Sequence, residues 1–254
     1  MIYIKTAQQI EKIRKSSRLA AQSLDLAGQH LKPGITTGDL DKIIHQFLVE
    51  NGATPATLGY KGPRGAPPFP GASCISVNDV VVHGIPGPLV IMEGDLVKID
   101  VTARLDSYFG DTARTFLVGS VPEPGPLLAR TTQEAMILGI EQIKAGARLG
   151  DIGHAIQTHT EARGFSVVRA FVGHGVGIEF HEAPNVPHFG RPGTGYRIKS
   201  GMIFTVEPMI NAGDSEVELL DDGWTVITAD GSLSSQFEHS VLVTASGYEI
   251  LTLS

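Results

Sequence analysis

An α/β (α+β) fold of two similar halves, with helix pairs outside an antiparallel sheet, is expected for this chain, and three observations point to it. Residues 31–53 align without a gap on residues 143–165, and each copy reads as a helix. Later in each half a strand-like run closes on a carboxylate, Asp100 in the first and Glu207 in the second. A length of 254 residues with a single cysteine suits one large domain that buries a sizeable core without disulfides.

The first helix, about residues 6–30, carries isoleucines and leucines at helical spacing among charges, unlike the continuous apolar stretch of a signal peptide. The second lies in LKPGITTGDLDKIIHQFLVENGA (31–53), entered through Gly38 and Asp39 and closed by Gly52. Its copy, IKAGARLGDIGHAIQTHTEARGF, keeps Lys144, Gly146, Gly150, Asp151, Ile156 and Gly164 in register and follows a helical segment of about 126–145. IMEGDLVKID (91–100) and IKSGMIFTVE (198–207) share a leading Ile, a Gly at the fourth position and a closing acid, so each reads as a turn feeding a strand that ends on a carboxylate. Asp111 and Glu238 then sit on hairpin-like return strands, DSYFGDTARTF and SSQFEHSVLV. The duplication divides the single domain, 1–254, into halves of approximately 1–120 and 121–254.

Four acids in strand-like apolar contexts need a counter-charge, because an unpaired buried carboxylate costs several kcal/mol. If Asp100, Asp111, Glu207 and Glu238 converge they carry a charge that two divalent ions neutralise, with a neutral His174 completing the shell. Asp100 and Asp111 flank a turn expected at Leu105-Asp106-Ser107, which would face them across paired strands, close enough to repel unless a cation lies between. His174 stands in FVGHGVGIEFHEAP, where Gly173, Gly175 and Gly177 permit close backbone approach and unusual φ. That run lacks the G-x-G-x-x-G spacing of a nucleotide loop.

Composition excludes other classes. The net charge is −7 with no basic block, which disfavours nucleic acid as a partner. No run approaches the ~18 apolar residues of a membrane span, so no membrane partner is expected. A lone Cys74 suits a reducing compartment, and cytoplasm is the expected location.

VVHGIP (81–86), KIDVTARLDSYFGDTARTF (98–116), VGHGVGIEFHEAPNV (172–186), TVEPMI (205–210) and SSQFEHSVLVT (234–244) together resemble the type I methionine aminopeptidases over essentially the whole chain. The resemblance implies the pita-bread fold and removal of the initiator methionine ahead of a small second residue. It implies that Asp100 binds one metal, that Asp111 and Glu238 bridge two, and that His174 and Glu207 bind the other. Glu207 would be the general base, His181 would hydrogen-bond the scissile region and His83 would contact the scissile amide. Tyr60, Phe69, Cys74, Phe180 and Trp224 would line the pocket for an unbranched thioether, though each serves equally well as plain core packing. Co, Mn, Fe and Zn all suit oxygen ligands with one imidazole. A monovalent cation near Asn78, Val80 and Ser234 is implied by resemblance alone. The implied partner is a nascent chain met near the ribosome exit, the enzyme acting as a monomer, although no segment suggests a device for that docking. PRGAPP, between Gly62 and Phe69, is about six residues more than the short bacterial pattern, and Phe69 stands where tyrosine is more usual. An extended loop at the pocket rim is expected there.

Three other readings compete. Proline-specific peptidases of the same fold share the ligand set but usually carry a further N-terminal domain. Non-catalytic relatives typically lose ligands, whereas all five are present here. A thiol hydrolase using Cys74 and His83 is the most distant.

Overall fold

The computed structural model describes residues 2–62 and 65–254; Pro63 and Arg64, in the expected loop, lie outside the described residues. In chain order the elements are α1 (Ala7–His30), α2 (Thr37–Glu50), β1 (Thr54–Pro55), β2 (Cys74–Val77), β3 (Val80–Val82), β4 (Leu96–Leu105) and β5 (Tyr108–Leu117). There follow α3 (Gly125–Ile140), α4 (Leu149–Glu161), β6 (Ser166–Val167), β7 (Gly173–Gly175), β8 (Glu182–Val186), β9 (Ile203–Val206) and β10 (Met209–Asn211). The last are β11 (Val217–Leu219), β12 (Val226–Thr228), β13 (Ser234–Gln236), β14 (His239–Val243) and β15 (Tyr248–Ile250). The result is an α+β fold with antiparallel sheets inside and helix pairs outside.

Local chemistry starts and stops the helices where expected. Thr6 accepts the Gln9 backbone N–H while the Gln9 side chain accepts that of Thr6, a reciprocal cap on α1. Thr36 caps α2 by accepting the Asp39 N–H at 3.0 Å, and the chain leaves α2 at Gly52 with φ 74. Helix α3 ends at Ile140, earlier than the expected 145, because Gln142 and Ile143 bond back only three residues, to Gly139 and Ile140.

Each half has its own apolar core. Leu19, Leu24, Leu40, Ile44 and Leu48 of α1 and α2 pack on Val97, Ile99, Val101 and Ala103 of β4. Those β4 residues alternate with Lys98, Asp100 and Thr102, so the opposite face of the same strand is polar. Helix α1 lies close on β5, and a Cβ on Gly110 would fall 2.2 Å from the Ser17 nitrogen. In the second half, Met136 and Ile140 of α3 and Ile152 and Ile156 of α4 pack against Phe204 and Val206 of β9 and Val241 and Val243 of β14.

β4 and β5 form an unbroken antiparallel ladder from Leu96↔Leu117 to Leu105↔Tyr108. The connecting turn is two residues, Asp106 and Ser107, at φ 50 and 67, rather than the expected three. Two successive positive φ values suit the right-handed twist of a tight hairpin. Two further expectations are corrected. Asp100 lies in the middle of β4 instead of at its end, and the 234–243 return run is interrupted at Phe237 and Glu238 between β13 and β14.

Candidate active site

The halves meet along β5 and residues 236–240, and hydroxyls stitch the seam. The Glu238 N–H donates to the Ala113 carbonyl at 2.8 Å, and Thr112 Oγ1 donates to the Glu238 carbonyl at 2.8 Å. Ser240 Oγ donates to the Asp111 carbonyl at 2.7 Å, and Thr115 Oγ1 donates to the Gln236 carbonyl at 2.7 Å. These bonds replace a regular ladder and bring Asp111 and Glu238 together from opposite halves.

All the residues singled out in the sequence for catalysis, metal binding and the pocket line one cavity of about 530 Å³. Asp111, His174 and Glu238 each offer a ligand atom, and these atoms lie within 4.8 Å of one another. His174 Nε2 is 3.7 Å from Asp111 Oδ2 and 3.6 Å from Glu207 Oε1. Asp100 is paired with Ala113, and Asp111 with Thr102. The two acids are therefore diagonal neighbours on one face rather than directly opposed as expected.

The donor set fits divalent cations on three counts. His174 Nδ1 lies 3.0 Å from the Gly175 carbonyl, which only accepts, so Nδ1 carries the proton and the Nε2 lone pair faces the carboxylates. Asp100 Oδ1 is buried without a hydrogen-bond partner. Burial pushes Asp111 up to about 7 and Glu207 up to about 8, and holds Asp100 and Glu238 well above the usual carboxylate range, with neighbouring carboxylates adding to the rise in Asp100, Glu207 and Glu238. Among the described residues no protein cation offsets them in the cavity, since burial holds His83 and His174 down to about 4.

Local sequence explains how each group is placed. A Cβ on Gly173 would lie 2.6 Å from the Thr205 carbonyl oxygen, and one on Gly175 2.5 Å from that of Ala183. Close approach therefore accounts for both glycines beside His174, while positive φ occurs only at Gly177. His83 itself has φ 58, just after β3, with its ring edge-on to Trp224 and Phe171. His181 Nδ1 lies 2.9 Å from the Tyr60 hydroxyl, and its ring stacks on Phe180.

Phe69, Cys74 and Trp224 form a small buried apolar cluster with Tyr60 against it. Cys74 is paired across the sheet with Asp100, which puts this cluster beside the carboxylates. Burial and the nearby acids raise the Cys74 thiol well above its ordinary value, so it is not a nucleophilic thiolate, and the thiol-hydrolase reading falls. The described part of the inserted loop does more than form a rim: the Pro67 carbonyl accepts the Trp224 indole N–H at 2.7 Å.

Sequence reasoning missed the groups that hold the ligands. Thr102 donates to Asp111 Oδ1 at 2.7 Å, and Thr205 donates to Glu207 Oε1 at 2.6 Å while accepting the His174 N–H at 2.9 Å. Thr102 lies two residues from Asp100 and Thr205 two from Glu207, a period-two signal that strand alternation offers. His188 Nε2 accepts the Glu207 N–H at 3.1 Å, and nothing in its sequence context points to that role.

Residues 11–245 match the model of metallopeptidase family M24. The chain is 52% identical to methionine aminopeptidase B of Synechocystis sp. over 249 residues, covering 98% of this chain and 90% of that protein. The crystal structure of methionine aminopeptidase from Rickettsia prowazekii superposes with a TM-score of 0.96 at 48% identity, covering 100% of both chains. That from Thermotoga maritima does so with a TM-score of 0.96 at 42% identity, again covering 100% of both. A buried carboxylate and imidazole cluster that requires metal, in a chain so similar throughout, is that of a metal-dependent aminopeptidase, and the chain belongs to the methionine aminopeptidases of metallopeptidase family M24.

Proposed function

We propose that this enzyme removes the N-terminal methionine from nascent polypeptides whose second residue is small. The observation that carries the reading is the apolar cluster of Phe69, Cys74 and Trp224 set directly against the four carboxylates. A thioether side chain seated there brings its own α-amino group and carbonyl to the acids.

Asp100, Asp111, His174, Glu207 and Glu238 would hold two divalent ions between them, and Co, Mn, Fe and Zn all suit this donor set. Bound there, the ions supply Lewis acidity toward the scissile carbonyl and a water deprotonated near neutral pH. Glu207, its carboxylate held by Thr205 and Gln236, would take up a proton from the attacking water and pass it to the leaving amine. The Tyr60 hydroxyl, 2.9 Å from Nδ1, orients the His181 ring so that Nε2 would hydrogen-bond the substrate carbonyl. His83, neutral at pH 7, donates to the scissile amide. Phe180 and Tyr60 close the outer wall, their rings 4.9 Å apart, and exclude water.

We read residues 1–254 as one catalytic domain, its two cores descending from one duplicated unit. It works as a monomer in the cytoplasm, near the ribosome exit, and takes no nucleic acid as substrate. No helix among the described residues is long and apolar enough to cross a membrane. The test is release of the first residue from Met-Ala-Ser and Ala-Pro-Phe by metal-stripped protein before and after adding Mn, with Asp111→Ala alongside. Metal-restored cleavage of the methionyl peptide alone is expected. Cleavage of the prolyl peptide instead moves the enzyme to the proline-specific branch, and cleavage of neither removes the reading.

A further inference from the structure

Lys98 is among the largest side chains that the fold buries completely. It stands on the polar face of β4, two residues before Asp100. A buried ammonium costs several kcal/mol unless its donors are met. Its hydrogen-bond acceptor is the Asn78 backbone carbonyl, 2.7 Å from Nζ.

That carbonyl is presented by a clamped residue. Asn78 turns the chain between β2 and β3 at φ 53, in the left-handed region. Its side chain is tied at both ends, Nδ2 donating to Asp95 Oδ1 at 2.9 Å and Oδ1 accepting the Leu96 N–H at 3.0 Å. The same carbonyl accepts the Ser234 N–H at 3.1 Å. A carbonyl oxygen has two lone pairs, and Lys98 and Ser234 use both.

The monovalent cation expected near Asn78, Val80 and Ser234 therefore does not fit these residues: the Asn78 oxygen is saturated, and a positive charge already lies against it. We infer that the Lys98 ammonium is a built-in cation that replaces an alkali-metal ion at the junction of β2, β3, β4 and β13. Three strands that serve the site leave this junction. β4 carries Asp100, β3 leads to His83, and β13 leads to Glu238. Lys98 is thus a positioning residue, and it makes that geometry independent of sodium or potassium.

The experiment compares Mn-loaded wild type, Lys98→Ala and Lys98→Met in sodium, potassium and choline chloride at equal ionic strength. All three proteins are compared at one pH in all three salts. Wild type should show one Tm and one kcat/KM in all three salts. Lys98→Ala in choline should lose about 5 °C or more in Tm and roughly ten- to a hundredfold in kcat. Sodium or potassium should restore both saturably, by binding the vacated carbonyl. Lys98→Met fills the space without charge and should not recover. A saturable rise in the wild-type Tm with either alkali ion overturns the inference. So does a Lys98→Ala protein that ignores them, or a Lys98→Met protein restored equally well. Should Lys98→Ala fail to fold, the wild-type series decides by the same criterion.

Discussion

The two halves deliver their ligands by different means. In the first half Asp100 and Asp111 come from a regular hairpin whose ten-residue strands keep one register throughout. In the second, His174 sits where the β7–β8 register shifts, Glu207 in the gap between β9 and β10, and Glu238 in the gap between β13 and β14. A continuous ladder fixes the backbone of its acids, with Thr102 alone steadying the Asp111 carboxylate from the same sheet, whereas a residue at a break depends more on side-chain partners. Thr205 and His188 supply them around Glu207 from within the second half, and Thr112 of the first half holds the Glu238 carbonyl across the seam. The regular half acts as a template and the irregular half is fitted to it across the seam.

The largest effects come from breaking the seam's two acids. Asp111→Ala and Glu238→Ala should each lower kcat/KM by ~10³-fold or more, and adding metal should not restore it. Steady-state assays with a methionyl peptide over a metal titration check this.

Stripping the metal should expose the shared charge as a pH-dependent loss of stability. Asp111 and Glu207, pushed up to about 7 and about 8, hold protons in the fold that the unfolded chain releases. Their contribution is present at low pH and lost as pH rises through those values. Asp100 and Glu238 act in the same direction, while Lys98, held down to about 7, and Lys5, also lowered by burial, oppose them as two groups against four. Below ~6.5 the buried and half-buried histidines His83, His174, His188 and His239, held down to 3–4, offset that slope, so the window is about pH 6.5–8. The metal-free Tm should fall by about 5–10 °C across it, and the metal-loaded Tm should stay flat. Scanning calorimetry with and without a chelator reads the difference.

A smaller contrast separates the halves directly. Thr205→Val should cost roughly tenfold or more in kcat, because Glu207 and His174 both lean on that hydroxyl. Thr102→Val should cost only about threefold, because the ladder still holds Asp111. Smallest is Ser107→Gly, which relieves φ 67 in the hairpin turn and should raise Tm by about 1–3 °C with kcat/KM unchanged.

The same contrast decides how much the sequence made legible. That Asp100 and Asp111 lie on paired strands followed from acids set in strand-like apolar runs on either side of a turn, and the helix pairs from apolar spacing and their glycine stops. The break at Phe237 and Glu238 was not legible, because SSQFEHSVLV reads as one strand and the hydroxyl seam that interrupts it is made with β5, some 120 residues away. His188 escaped for the same reason: its partner is a backbone N–H 19 residues on, with no spacing to announce it. The end of α3 and the two-residue turn were misjudged because tertiary packing and paired positive φ, not propensity, set them.

The most direct measurement is the number of divalent ions held per chain at saturation, by calorimetric titration of stripped protein with Mn. The account predicts two for the wild type. One should remain in Asp100→Asn and one in His174→Ala, since each half loses only the ion it serves alone, and Glu238→Ala should impair both. A single ion in the wild type, or loss of the same ion in Asp100→Asn and His174→Ala, would contradict it.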